Sequence, residues 1–263
     1  MKYRFGIASQ IWDILYPVLM YYVAITVGMF IAQMIFGAGN ETYMLCKIIG
    51  SIFAIPVVFA DYKHDQMLSG RWGLKTPVST QKVLMVFSAM GIILCVSIAL
   101  NNLILMSPLV DMSDEYENAA NAFYGSSIWL ELLGSALITP YLEELLHRGV
   151  VYGRLRRMMG AWPAIIVSSL IFGALHYNLI QFIYAFCIGI VLALFVEKTG
   201  KLYVAVFGHI VANTIAVIRT ETGFLAGTVD GSAVAWVISI VLLVIGVIGM
   251  VIYCAETKKN EGK

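Results

Sequence analysis

Long apolar stretches separated by short polar connections run along the whole chain. A helix needs about 20 residues to cross the hydrocarbon core of a bilayer, and helices are expected there because they satisfy their own backbone polar groups. Eight stretches are long enough, or nearly so. They are predicted at about 14–36, 43–60, 83–106, 127–147, 161–177, 179–196, 202–219 and 233–253. The pattern therefore predicts an all-α polytopic membrane protein.

The composition supports this interpretation. Of the 263 residues, 60% are hydrophobic and 13% are charged, whereas soluble domains have about 45–50% and about 25%. The longest polar connections, at roughly 61–82 and 108–126, are too short to hold a soluble domain. The first apolar run exceeds the core of about 7–15 residues that a signal peptide has. We expect a single integral-membrane domain over 1–263, with its motif-bearing core at about 127–219.

The charges in the loops predict the orientation. With the N-terminus inside, alternate crossings place all but two of the 17 Lys and Arg residues on the inner side. The two exceptions are Lys47 and Arg219, and the acidic loop at 111–117 falls outside. This distribution follows the positive-inside rule. It predicts eight transmembrane helices with both termini cytoplasmic.

Ionisable residues inside the predicted helices are the first sign of function, because each costs about 3 kcal/mol to insert. Glu144 and Arg148 are four residues apart, so they share a helix face and can pair. Glu143 is turned by about 100° from Glu144 and meets other surroundings, and Pro140 favours a kink beside it. Neighbouring carboxylates acquire different roles in this way.

Two further helices each carry a histidine. Phe172 and His176 are four residues apart, and His209 and Asn213 repeat that spacing. A carboxylate, two imidazoles and an amide suffice to activate a water and stabilise an oxyanion. At about 1.5 Å per residue, His176 comes out deeper than Glu143 and His209, so its helix must tilt or start later than drawn.

Each of these residues also has a purely structural interpretation. Histidines in membrane helices are often packing residues, and a Glu–Arg pair can lie at the membrane interface. Glu131 is expected near the outer interface and His147 near the cytoplasmic interface. The sequence contains neither HExxH nor GxSxG, and Glu-x-x-His occurs once, whereas di-iron bundles use it twice. No basic stripe with interleaved aromatics is present, so a nucleic-acid partner has no support. The functional hypothesis therefore rests on these residues taken together, not on any one of them.

Three motifs together indicate a family. Residues 143–148 match EExxxR, residues 172–176 match FxxxH and residues 209–213 match HxxxN. In this order, on successive helical segments, they resemble the CPBP family of CAAX-processing and bacteriocin-processing intramembrane proteases, also called the Abi or Rce1-like family. The eight-helix count resembles the family fold. One departure is His147, where family members often carry an aromatic residue.

The resemblance implies an endopeptidase. Glu143 would be the general base that activates a water with help from His176, the Glu144–Arg148 pair would orient the site, and His209 with Asn213 would stabilise the oxyanion. Glu143, His176 and His209 also make the His₂Glu set of a catalytic zinc with one open position. Zn²⁺ and a metal-free glutamate mechanism use the same residues, so both stay open.

The expected substrate is a peptide or protein, lipidated or membrane-associated, cut near its C-terminus or in a membrane-proximal segment. The expected location is the cell membrane, or the ER membrane in a eukaryote, with the active site accessible from the cytoplasmic side. Two alternatives belong to other classes. One is a proton-coupled transporter that uses Glu143 and the histidines as a relay, and the other is a non-catalytic immunity or partner-binding protein on the same scaffold.

Overall fold

Helices form the described part of the chain, which in this computed structural model comprises residues 6–73, 80–110, 119, 121 and 123–261. Eight longer helical stretches follow one another through these residues, and no strand occurs among them. They are α1 (Ile7–Phe36), α2 (Asn40–Leu68), α3 (Thr80–Leu105), α4 (128–159), α5 (Ala161–Ala174), α6 (Leu179–Thr199), α7 (Leu202–Thr222) and α8 (Ala233–Glu261).

Each of these stretches overlaps one of the predicted segments, so the all-α polytopic class is confirmed. Six helices within the described residues are long and apolar enough to cross a membrane by length and composition, namely α1, α2, α3 from Lys82, α6, α7 and α8 as far as Thr257. Helix α5 is apolar but shorter. The number of crossings and the side of the termini stay predictions. The acidic loop at 111–117, the N-terminal basic residues and Lys75 lie outside the described residues.

Helix α4 is not a uniform α-helix. Two π-helical segments, Leu132–Ile138 and Leu145–Val151, flank the α-helical segment Thr139–Glu144. Pro140 stands at the start of the central segment and has no backbone N–H to donate, which removes one i,i+4 bond. Wide π turns are rare and concentrate at functional sites. The two adjacent glutamates thus lie at the end of the short α-helical segment, directly before the second wide turn.

Two apolar clusters hold the bundle together. The first joins α1, α2, α4, α5 and α6 around fully buried side chains such as Leu142 and Leu146. The second joins α3, α6, α7 and α8 around Ile93 and Phe195. Helix α6 contributes to both clusters, which places it between the two halves.

One end of the bundle carries a cluster of ion pairs. Arg154 of α4 contacts Asp61 at 2.9 Å and Asp65 at 2.8 Å, and it donates a further hydrogen bond to the backbone of α1. Arg156 contacts Glu197 of α6 at 3.0 Å. These pairs tie α4 to α1, α2 and α6 at the end that the charge pattern places in the cytoplasm.

Helices α1 and α2 pack closely through small residues. A Cβ atom built on Gly50 would lie 2.7 Å from the Ile25 carbonyl oxygen, and one on Gly28 would lie 2.8 Å from the Gly50 Cα atom. Backbone atoms cannot move aside as a flexible side chain can. Close backbone approach at small residues is the usual way that membrane helices associate.

Gly50→Ala is expected to destabilise the protein by about 1–3 kcal/mol, because the added methyl group overpacks this crossing. Gly91→Ala is the matched control, since Gly91 also lies in a long helix but has open space around its Cβ position. There alanine should stabilise by up to about 1 kcal/mol through helix propensity. Thermal unfolding in detergent measures both, and equal shifts in the two variants would contradict the close packing of α1 on α2.

Candidate active site

The buried ion pair between Glu144 and Arg148 lies at the centre of the motif region. One Arg148 guanidinium nitrogen donates to Glu144 Oε1 at 2.7 Å, and another donates to the Gly189 carbonyl oxygen at 3.0 Å. The guanidinium also lies over the Phe172 ring, 4.6 Å from its centroid. The pair expected from the i,i+4 spacing is therefore present. Its charges are excluded from solvent and depend on each other.

His209 links this ion pair to the second glutamate. Its Nδ1–H donates to Glu144 Oε1 at 2.9 Å, which fixes the orientation of the ring. Its Nε2 then faces Glu143, with 3.8 Å between Nε2 and Oε2, which is longer than a hydrogen bond. One turn further along α7, the Asn213 side-chain amide donates to the Ser135 carbonyl oxygen at 2.8 Å and ties α7 to α4.

The two glutamates occupy different environments. The Glu144 side chain is 0% exposed and has two cationic or polar donors on one oxygen. The Glu143 side chain is 15% exposed and lines a cavity, while Glu144 does not line it. Helix phase predicted this separation. Glu143 is the carboxylate that a molecule in the cavity can reach.

His176 lies beyond the end of α5 rather than within a helix. Its Nδ1–H donates to the Phe172 carbonyl oxygen at 3.0 Å, and its own carbonyl oxygen accepts from the Asn178 side chain at 3.2 Å. Asn178 also caps α6 by accepting from the Gln181 backbone N–H at 2.8 Å. The expected helix over 161–177 is thus too long.

The reason is the backbone at Tyr177, which has a φ of 60° and reverses the chain before α6 begins. Side chains with a Cβ rarely adopt this left-handed conformation, and strain of this kind concentrates at functional sites. His176 is therefore held at the wall of the cavity by a turn.

His147 belongs to the site, although we expected it at the membrane interface. Its side chain is buried, its Nδ1–H donates to the Glu143 carbonyl oxygen at 2.8 Å, and its ring lines the cavity. The Phe172 ring contacts three imidazoles edge to face, with centroid distances of 4.9 Å to His147, 5.1 Å to His176 and 5.6 Å to His209. No signal in the local sequence distinguished His147 from an interfacial residue.

The cavity beside Glu143 has a volume of about 500 Å³. That volume lies within the range of about 300–1,000 Å³ that is usual for small-ligand pockets. Among its described lining residues are the polar or aromatic side chains that the motifs contribute, namely Glu143, His147, Phe172, His176, His209 and Asn213. The three motifs therefore converge on one space.

The cavity extends away from the ion-pair cluster around Arg154. Its remote walls come from the end of α3 at Leu105, the beginning of α2 at Tyr43 and Lys47, and Phe123. The charge pattern places these helix ends on the outer side. Access from the cytoplasmic side stays a prediction.

The donor atoms for zinc do not converge in this geometry. Among the described residues, no three His, Cys, Asp or Glu side chains form a group that could hold a metal ion. His209 donates its Nδ1–H to Glu144 and His176 donates its Nδ1–H to a backbone carbonyl, which leaves Nε2 of each ring as the nitrogen that could bind a metal. Glu143, His176 and His209 would have to move closer to one another to bind Zn²⁺.

Comparison with known proteins identifies the motif region. Residues 125–215 match a family model described as type II CAAX prenyl endopeptidase Rce1-like. Over 89 residues the chain is 30% identical to "Putative membrane peptidase YdiL" of Bacillus subtilis, a match that covers 34% of this chain and 36% of that protein. The motif-bearing region is therefore similar to the CPBP family over about a third of the chain. No solved structure matches it.

The cavity is lined partly by residues that lie outside the segment matching the family model. The matched residues contain every motif side chain named above, whereas α1, α2 and α3 lie before residue 125. Those three helices nevertheless contribute residues such as Tyr22, Lys47 and Asn101 to the cavity wall. The family segment supplies the candidate chemistry, and the preceding helices complete the space around it.

Arg148→Met is expected to destabilise the protein by about 3–5 kcal/mol, because it leaves the Glu144 carboxylate buried without its counter-charge. Arg156→Met is the matched control. Arg156 pairs with Glu197 at the surface, where an ion pair is worth at most about 1 kcal/mol. Thermal unfolding in detergent compares the stability of the two variants. Similar losses of stability would show that the buried Glu144–Arg148 pair contributes no more than the surface pair.

Proposed function

We propose that this chain is an intramembrane endopeptidase in which Glu143 activates the attacking water. The observation that carries the proposal is the different setting of two adjacent carboxylates. Glu144 is buried and held by Arg148 and His209, whereas Glu143 lines the cavity and faces His209 Nε2 across 3.8 Å. One carboxylate is thus available as a base, and the other supports the histidine beside it.

The first step is the attack of water on a peptide carbonyl. His176 donates through Nδ1 to a backbone carbonyl, so Nε2 of the neutral ring carries a lone pair and can accept a hydrogen bond from the water. Glu143 removes a proton from that water as its oxygen bonds to the carbonyl carbon. The product of this step is a tetrahedral oxyanion and a protonated Glu143.

Asn213 and His209 are placed to stabilise the oxyanion. Asn213 uses one amide hydrogen on Ser135, and its second amide hydrogen is left for a ligand in the cavity. His209 can donate through Nε2 when its ring is protonated, and Glu144 on Nδ1 stabilises that cation as a carboxylate does behind a catalytic histidine. Donors aimed at a developing negative charge are usually the largest catalytic contribution.

The second step breaks the C–N bond. Glu143 returns its proton to the departing nitrogen, so the products are a new carboxyl end and an amine. His147 positions the base, because its Nδ1–H holds the Glu143 carbonyl oxygen. The proposed substrate is a peptide or protein that reaches the membrane. We also propose that it can carry a lipid modification, which identification of the substrate would test.

Zn²⁺ remains an alternative for the same three residues, Glu143, His176 and His209. Metal analysis of the purified protein, paired with activity after chelation, separates the two cases. Loss of cleavage on chelation with recovery on adding zinc would support the metal form. Full cleavage by protein that contains no metal would support the glutamate mechanism.

Glu143→Gln is expected to lower peptide cleavage by about 10²–10⁴-fold, because general-base catalysis contributes that much. His209→Gln should also lower it strongly. The assay uses purified protein in detergent with a pool of short apolar peptides, and mass spectrometry detects the products. Thermal unfolding must show that both variants remain folded.

The matched controls are Glu197→Gln and His64→Gln. Glu197 pairs with Arg156 at the far end of the bundle, and His64 is exposed on α2. Neither side chain lines the cavity, so both variants should cleave like the parent. Cleavage by Glu143→Gln at the parent rate would overturn the proposed role of the base.

A further inference from the structure

Lys47 brings a positive charge into the cavity beside Glu143. It lies on α2, is half-buried and lines the same space as Glu143. It is the only Lys or Arg among the described residues that line this cavity. No described carboxylate lies within ion-pair distance of the Lys47 ammonium, although Glu143 lines the same cavity.

The environment of Lys47 leaves its charge largely uncompensated. Its ammonium lies 3.9 Å from the centroid of the Phe123 ring, which is a cation–π contact rather than an ion pair. Arg219, the other basic residue expected on the outer side, is instead bonded to Asn102 at 2.6 Å and lies 3.5 Å from the Thr228 hydroxyl. A partly desolvated ammonium attracts an anion, and a carboxylate gives it a charge-assisted hydrogen bond.

The rest of the cavity suits an apolar peptide segment. Between the polar groups its walls are built from aliphatic and aromatic side chains, among them Ile25, Ile104, Ile180, Tyr21 and Phe123. A volume of about 500 Å³ is large enough for a few amino-acid residues. Within it, one ligand can contact both the Glu143 region and the Lys47 ammonium.

We propose that Lys47 binds the free C-terminal carboxylate of the peptide substrate. The inference rests on the proposed peptidase function and makes it more specific. Of the two predicted cleavage positions, it selects the one near the substrate's C-terminus, because an internal membrane-proximal segment has no carboxylate to offer Lys47. Lys47 is thus a specificity-determining residue, separate from the groups that handle the scissile bond.

Lys63 provides a matched control on the same helix. Its ammonium also lies over an aromatic ring, 5.4 Å from the centroid of Trp72. Lys63 is exposed and does not line the cavity. Lys47→Met and Lys63→Met therefore remove the same charge and the same type of ring contact from α2, but only the first removes a charge from the cavity.

The experiment compares a pool of short apolar peptides in two forms, one with free C-terminal carboxylates and one with C-terminal amides. The parent protein should cleave the acid pool with a kcat/KM about 10–100-fold higher, the ratio expected for one hydrogen bond between charged groups. Lys47→Met should lower the value for the acid pool toward that for the amide pool. Lys63→Met should keep the parent ratio, and Lys47→Arg should restore part of it.

Binding provides a readout that does not require turnover. Fluorescently labelled acid and amide pools are titrated onto Glu143→Gln and onto the double variant Glu143→Gln/Lys47→Met. If the acid pool binds more tightly to Glu143→Gln and this preference is lost in the double variant, the carboxylate subsite is supported. If the parent protein shows this binding preference but cleaves no peptide, the peptidase proposal fails and the carboxylate subsite stands. Three results would overturn the role of Lys47. They are cleavage without a preference for the acid pool, a preference that persists in Lys47→Met, and no binding of either pool.

Discussion

The site depends on the ion pair and hydrogen bonds that satisfy the buried carboxylate of Glu144. A carboxylate excluded from water is stable only when donors surround it. Arg148 supplies the counter-charge from the same helix, and His209 supplies a second hydrogen bond from α7. Arg148 in turn uses the Gly189 carbonyl of α6 and the Phe172 ring of α5. Four helices are therefore held in register by the need to satisfy one buried charge.

This arrangement explains how one short segment produces two chemically different glutamates. Consecutive residues on a helix point about 100° apart, so neutralising Glu144 inside the bundle turns Glu143 toward the cavity. The same bond that satisfies Glu144 also orients His209 toward Glu143. The burial of Glu144 and the orientation of His209 toward Glu143 are thus consequences of a single contact.

Local patterns in the sequence were sufficient to predict the helices and the Glu144–Arg148 pair, because both depend on residues a few positions apart. They failed at His176, since the reversal at Tyr177 occurs at a residue type that seldom takes a positive φ. They also failed at His147, whose burial depends on Phe172 from another helix. Contacts between distant segments, including that of Asn213 with Ser135, have no local sequence signal.

The cavity divides its tasks between two parts of the chain. The residues that match the CPBP family model, 125–215, supply the candidate catalytic side chains. Helices α1 to α3 precede that segment and supply the walls on which a substrate would rest, including Lys47. A charge in those walls can alter which peptides are held without touching the reacting atoms. On this proposal, selectivity and chemistry depend on different helices of the chain, so a substitution in the walls can change one without the other.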